Sequence, residues 1–272
     1  MNFRNFHFGC LLALTLALGC DDPETGGGNT PSQGELCHLN GAEVGIVGDS
    51  YIDPLFSQFL PELQKLAQAN GALAASDRYV SKAAGGASMV GGGISALIAA
   101  PIPTQLARVI QESRQRGAQG VRFMIATGGG NDVLVDNRQC LEFQSISAVT
   151  QQCKDVIQKA LDAGQHLFEQ AAREGVSEAI YFFYPHLPTA SLLGGPTANT
   201  ILDYAYPLVK GLCERQTAIK CHFVDLRAAF QASGLPDAQL FQFDGVHPAV
   251  GGAKVMAQAV WKVMEDNCLA SN

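Results

Sequence analysis

The sequence predicts an α/β fold built on a doubly wound parallel sheet, and three observations carry that expectation. Short runs rich in apolar, β-branched and aromatic residues alternate with longer segments of helical periodicity. Those runs are almost continuously apolar, as strands buried on both faces are. Strand followed by helix, repeated, implies right-handed crossovers and helices on both faces of one sheet.

The elements follow in order. Val44-Gly45-Ile46-Val47 is the first strand, and it runs into the turn Gly48-Asp49-Ser50-Tyr51. Residues 54–70 carry apolar side chains at Leu55, Phe56, Phe59, Leu60, Leu63 and Leu66, a helical stripe closed by Asn70-Gly71. Arg78-Tyr79-Val80 is a short strand leading into the glycine-rich stretch from Ala84 to Gly93. Residues 103–116 read as a helix with Leu106, Val109 and Ile110 inward, and 121–126 as a strand ending in Thr127-Gly128-Gly129-Gly130-Asn131-Asp132. A long helix is expected over 146–173, with Gly164 its weak point, and then the strand 179–184, stopped by Pro185. Residues 201–215 are expected to be helix and His222 to Asp225 a last strand. The loop Phe243-Asp244-Gly245-Val246-His247-Pro248 precedes a final helix over 253–265. There is no internal repeat and no sign of a second domain.

The amino terminus reads differently. Residues 1–19 hold one cation, Arg4, and an apolar run from Cys10 to Gly19 too short to span a bilayer. That run ends in Ala17-Leu18-Gly19-Cys20, which resembles a bacterial lipoprotein signal in which Cys20 becomes the lipidated amino terminus. Residues 20–36, acidic and rich in Gly and Pro, have the makeup of a flexible tether, leaving 37–272 as the folded domain. Export is the expectation, with membrane contact only through the lipid anchor. An oxidising compartment favours disulfides among the six remaining cysteines. The simplest scheme pairs Cys140 with Cys153, Cys213 with Cys221, and Cys37 with Cys268. No Cys-x-x-Cys pair supports a zinc site.

With a net charge of −7 and scattered Lys and Arg, the chain is not built for nucleic acid. The chemistry-bearing residues lie in loops that a doubly wound sheet gathers at one edge. A serine hydroxyl needs a base, and histidine serves near neutral pH. The imidazole needs a carboxylate to fix its tautomer, and Asp244 lies three residues before His247 with Gly245 between. Backbone N–H groups of Ser50 and Gly86 and the Asn131 amide are candidate oxyanion donors. Asp49 and Asp132 read as turn or capping residues. His186 and Tyr51 are candidates to line the substrate pocket. The triple glycines lack a following lysine in Walker spacing, and Ile52 rules out the Gly-x-Ser-x-Gly elbow.

Gly48-Asp49-Ser50, Gly86 in its glycine-rich loop, Gly130-Asn131-Asp132 and Asp244-Gly245-Val246-His247-Pro248 together resemble, in order, the conserved stretches of the SGNH (GDSL-type) hydrolases. The resemblance implies a flavodoxin-like three-layer α/β/α fold and ester hydrolysis through a serine acyl-enzyme, without metal or cofactor. It implies a small-molecule, lipid or acylated-saccharide ester as substrate. A monomer is expected. Two other uses of such a chain are acyl transfer to a saccharide hydroxyl and a silent envelope-binding module on the same fold.

Overall fold

The computed structural model describes residues 33–271; the signal and most of the tether, with Cys20, lie outside them. In chain order the elements are α1 (Gln33–Cys37), β1 (Val44–Val47), α2 (Phe59–Ala69), β2 (Val80–Ser81), α3 (Ser95–Ile98), α4 (Ile102–Gln115), β3 (Phe123–Ala126) and α5 (Gly130–Leu134). They continue with α6 (Gln151–Arg173), β4 (Glu178–Phe183), α7 (Gly195–Glu214), β5 (Lys220–Asp225), α8 (Leu226–Ser233), α9 (Asp237–Leu240) and α10 (Val250–Asn267). The strands pair in the order β2-β1-β3-β4-β5, every neighbour parallel. This is the flavodoxin-like order, and its switch point lies between β1 and β3.

With right-handed crossovers, the reversal of direction after β2 puts α2 and α4 on opposite faces. Accordingly α2 packs on α10 and α10 on α8, while α6 packs against both α4 and α7. Val44, Ile46, Phe123, Ile125, Ile180 and Phe182 are fully buried between the two layers. The near-continuous apolar runs of the strands are thus explained by helices above and below. Gly164, weak as a helix former, is where α6 approaches α7: a Cβ there would sit 2.9 Å from Leu212 Cδ2.

Several boundaries differ from the sequence expectation, each for a local reason. The helix expected from residue 54 starts at Phe59, because Asp53 takes the Leu55 N–H at 3.0 Å and Ser57 Oγ takes the Phe59 N–H at 3.1 Å. These side chains offer the backbone turns in place of helix. Residues 146–148 form a separate 3₁₀ turn, and extended Thr150 then starts α6. Helix α7 begins earlier than expected, with Pro196 in its first turn, where a missing N–H costs nothing. Helices α8 and α9 were not anticipated, although Asp225 caps α8 by accepting the Arg227 N–H at 3.0 Å. The cysteines pair as Cys37–Cys268, Cys140–Cys153 and Cys213–Cys221, the first tying α1 to the end of α10.

Candidate active site

The carboxyl ends of β1 and β3 bring Ser50 and Asn131 together at the switch point. One pocket of about 270 Å³ is lined by Ser50, Tyr51, Asn131, Asp244 and His247. The loops that carry them are fastened to one another by polar side chains. Gln105 of α4 holds the Gly48 peptide from both sides, its Oε1 accepting the Gly48 N–H at 2.8 Å and its Nε2 donating to the Gly48 carbonyl at 3.0 Å. Asp49, buried, accepts the Tyr51 N–H at 3.0 Å and the Tyr184 hydroxyl. Burial raises the Asp49 carboxyl above its ordinary range, an effect these two donors oppose. Tyr184 also accepts the Gly130 N–H at 3.1 Å, so one phenol links the β1, β3 and β4 ends.

The glycine-rich loop after β2 is pinned by two carboxylates. Asp53 accepts the Gly85 N–H at 2.6 Å, and Asp132 accepts the N–H groups of Met89 at 2.7 Å and Val90 at 2.8 Å. Burial raises the Asp132 carboxyl, while those backbone donors favour its charged form. Asp49 thus does the turn work expected of it through the Tyr51 N–H, whereas Asp132, expected to turn or cap locally, instead ties α5 to the loop after β2 across 43 residues. Gly86 has φ +78°, and a Cβ there would meet Ile98 at 2.9 Å. A residue with a side chain is excluded twice, by backbone conformation and by space. Gly86 does not itself line the pocket; its neighbour Ala87 does the joining, its carbonyl accepting from Asn131 Nδ2 at 2.8 Å. That bond fixes the Asn131 amide and leaves its second N–H uncommitted.

The Asp244–His247 turn is self-contained. Asp244 Oδ1 accepts the N–H groups of Val246 at 2.8 Å and His247 at 3.0 Å, and Oδ2 lies 2.6 Å from His247 Nδ1. Gly245 sits at φ +65°, which lets the chain turn tightly enough for residues three apart to meet. Burial would raise the Asp244 carboxyl, but the imidazole and the two backbone donors outweigh it and hold the group below its ordinary value. The Phe56 ring stacks on the imidazole at 5.1 Å between centroids. Tyr51 Oη donates to the Val246 carbonyl at 2.7 Å, joining the Ser50 loop to the His247 loop.

Besides Gly86, His186 is a candidate that does not line the Ser50 pocket. Its Nε2 is 2.7 Å from Asp203 Oδ1, and it lines a separate depression with Asp225 and Arg227. Position just past a strand end placed it near the sheet edge, but its side chain is engaged by Asp203 while its neighbours Tyr184 and Leu187 line the Ser50 pocket. Sequence reasoning in turn missed Tyr184, Gln105 and Phe56, and Arg138, which lines the pocket. Tyr184 had a signal, since it ends the most strand-like run at the active edge. The others contact the site only through tertiary packing.

Several solved structures share this architecture. A catalytic mutant of the acetylxylan esterase Axe2 from Geobacillus stearothermophilus superposes with TM-score 0.54 at 19% identity, covering 83% of this chain and 95% of its own. The fold is that of the SGNH hydrolases. A family 3 carbohydrate esterase from Clostridium thermocellum gives TM-score 0.55 at 15% identity, covering 84% of this chain and 98% of that one. The lipase Lip_vut3 from a goat rumen metagenome gives 0.54 at 15% identity, covering 82% and 95%. No family model and no curated protein matches the sequence. The likeness to these structures is one of fold, at 15–19% identity.

Proposed function

We propose that this protein is a serine ester hydrolase in which Ser50, His247 and Asp244 act as nucleophile, base and orienting carboxylate. The observation that carries the reading is the 2.6 Å contact between Asp244 Oδ2 and His247 Nδ1 in a pocket that Ser50 also lines. With Nδ1–H donated to the carboxylate, the Nε2 lone pair is left to take the Ser50 proton. The Ser50 oxygen attacks the ester carbonyl, and the second N–H of Asn131 with the backbone N–H of Ser50 receives the oxyanion. The imidazolium then protonates the departing alcohol, and a water activated by the same imidazole releases the acid. That three structures of the same fold are named as esterases or a lipase supports the bond type.

A fluorophosphonate probe tests the assignment. Wild-type protein should be labelled on Ser50, and both Ser50→Ala and His247→Ala should lose labelling and ester turnover together. Turnover above a tenth of wild type in Ser50→Ala refutes it. Acyl transfer uses the same acyl-enzyme, so products analysed with and without an added alcohol acceptor separate the two activities. The Ala17-Leu18-Gly19-Cys20 motif supports export to the cell envelope as a lipoprotein. Replacing Cys20 with Ser should release the protein from the membrane fraction with kcat unchanged; wild-type protein that is already soluble and lacks diacylglycerol mass overturns the anchor.

A further inference from the structure

The composition of the pocket around Ser50 identifies the acyl part of the substrate, given the reading of Ser50 as nucleophile. Its polar lining is already committed. Ser50, Asn131, Asp244 and His247 are the proposed reacting groups, and Asp49 is tied to Tyr184 and to the Tyr51 backbone. The two phenols are committed as well, Tyr51 to the Val246 carbonyl and Tyr184 to Asp49. What remains is Arg138 and an aliphatic wall that includes Leu134, Leu187, Leu192, Leu193, Leu202 and Val246. A saccharide face needs several fixed hydrogen-bonding partners, because each unpaired hydroxyl buried there is costly. One guanidinium does not supply them.

Size points the same way. An apolar cavity of about 150 Å³ admits benzene, six carbons. The pocket here, at about 270 Å³, holds far more than the two carbons of an acetyl group. Behind it, sharing Gly130, Leu134 and Leu202 as a common wall, lies a second cavity of about 30 Å³ between α6 and α7. Its other walls include Ile157, Leu161, Val209 and Leu212, all apolar. At the rim, Leu192 is 71% exposed. Leucines thus line the rim, the pocket and the wall it shares with the inner cavity. We infer that the protein acts on esters of aliphatic acids longer than acetic acid, butyryl to hexanoyl or beyond, with the chain held by the leucines of α5, α7 and the loop after β4.

The test is kcat/KM on 4-nitrophenyl acetate, butyrate, hexanoate and octanoate, with Ser50→Ala as the blank, alongside acetate release from acetylated xylo-oligosaccharide. A buried methylene contributes about 0.8 kcal/mol, about fourfold, so butyrate, two methylenes longer, should exceed acetate by about fifteenfold and hexanoate should exceed butyrate. Leu192→Asn, at an exposed position that the fold tolerates, should flatten the rise with chain length. Leu202→Ala, which opens the shared wall, should move the best substrate to a longer chain. Ser50-dependent turnover in which acetate, or acetylated xylo-oligosaccharide, equals or beats butyrate overturns the inference while leaving the hydrolase reading intact. So does a chain-length slope that Leu192→Asn does not change. No Ser50-dependent turnover of any ester, with no fluorophosphonate labelling, sinks the hydrolase reading itself and this inference with it.

Discussion

Replacing Asp244 with Asn should be far more damaging than its near-identical shape suggests. Oδ1 of Asp244 faces two backbone donors, Val246 N–H at 2.8 Å and His247 N–H at 3.0 Å, and only Oδ2 faces the imidazole. An asparagine must therefore keep its oxygen on the backbone side. Turning the amide over would leave two donors facing a third and fourth, at about 1–3 kcal/mol for each group left unsatisfied, or about 2–6 kcal/mol together. The NH₂ group is thus locked toward His247 Nδ1, where it donates and forces the imidazole proton onto Nε2. That nitrogen can no longer accept the Ser50 proton. Phe56, stacked on the ring, keeps the imidazole in place without correcting its tautomer. The same substitution in a serine protease lowers kcat by about 10⁴, which at 1.36 kcal/mol per tenfold is about 5.4 kcal/mol of barrier. Steady-state kinetics on one soluble ester should show that loss in kcat, with KM within about threefold, since Asp244 holds the base rather than the substrate. Asp244→Ala, with no amide to impose a tautomer, should be at least as active as Asp244→Asn. An Asn variant within 100-fold of wild type, or one more active than the Ala variant, would refute the argument.

Three other outcomes follow from the same geometry. Asn131→Ala removes an oxyanion donor and frees the Ala87 carbonyl, so kcat should fall by about 10²–10³; a loss confined to KM would contradict that role. Because the folded-state pKa of Asp244 is depressed, its contribution to stability is present above the unfolded value, about 3.9, and is lost as pH falls through the folded one. The difference in denaturant midpoint between wild type and Asp244→Asn should accordingly shrink below about pH 4, and a constant difference down to pH 2 would show that the carboxylate is not held as described. The Cys140–Cys153 bridge closes a short loop, sequence separation 13, and should stabilise by about 3 kcal/mol in the chain-entropy model. Replacing both cysteines by Ala should lower Tm by about 6–12 °C, at about 2–4 °C per kcal/mol for a domain of this size; an unchanged Tm or alkylatable thiols in the native protein would remove the bridge from the account.

The sequence determined a good deal by itself. Apolar runs alternating with amphipathic segments are enough for a parallel sheet covered on both faces, since only a strand buried twice is apolar at every position. The same logic put Ser50, the glycine-rich loop and Asn131 at one edge, because each follows a strand and all strands of a parallel sheet end on one side. Asp244 and His247 were legible for a different reason, being three residues apart and meeting within one turn. Short-range information ends there. Whether residues 54–58 continue a helix was settled by Asp53 and Ser57 bonding the backbone, and by Phe56 being used against His247. His186 shared the strand-end signal of the residues that line the Ser50 pocket, and only tertiary packing gave its side chain Asp203 as a partner instead. Tyr184, Gln105 and the leucine wall act on Ser50 across 50 to 150 residues of chain, as in Tyr184 to Asp49, a separation of 135. No local pattern encodes such contacts, because a side chain's partner there is set by how helices of opposite layers and loops of different strands pack. Motif and spacing thus pointed to the proposed reacting groups, while the shape and chemistry of the space beside them belong to the tertiary structure alone.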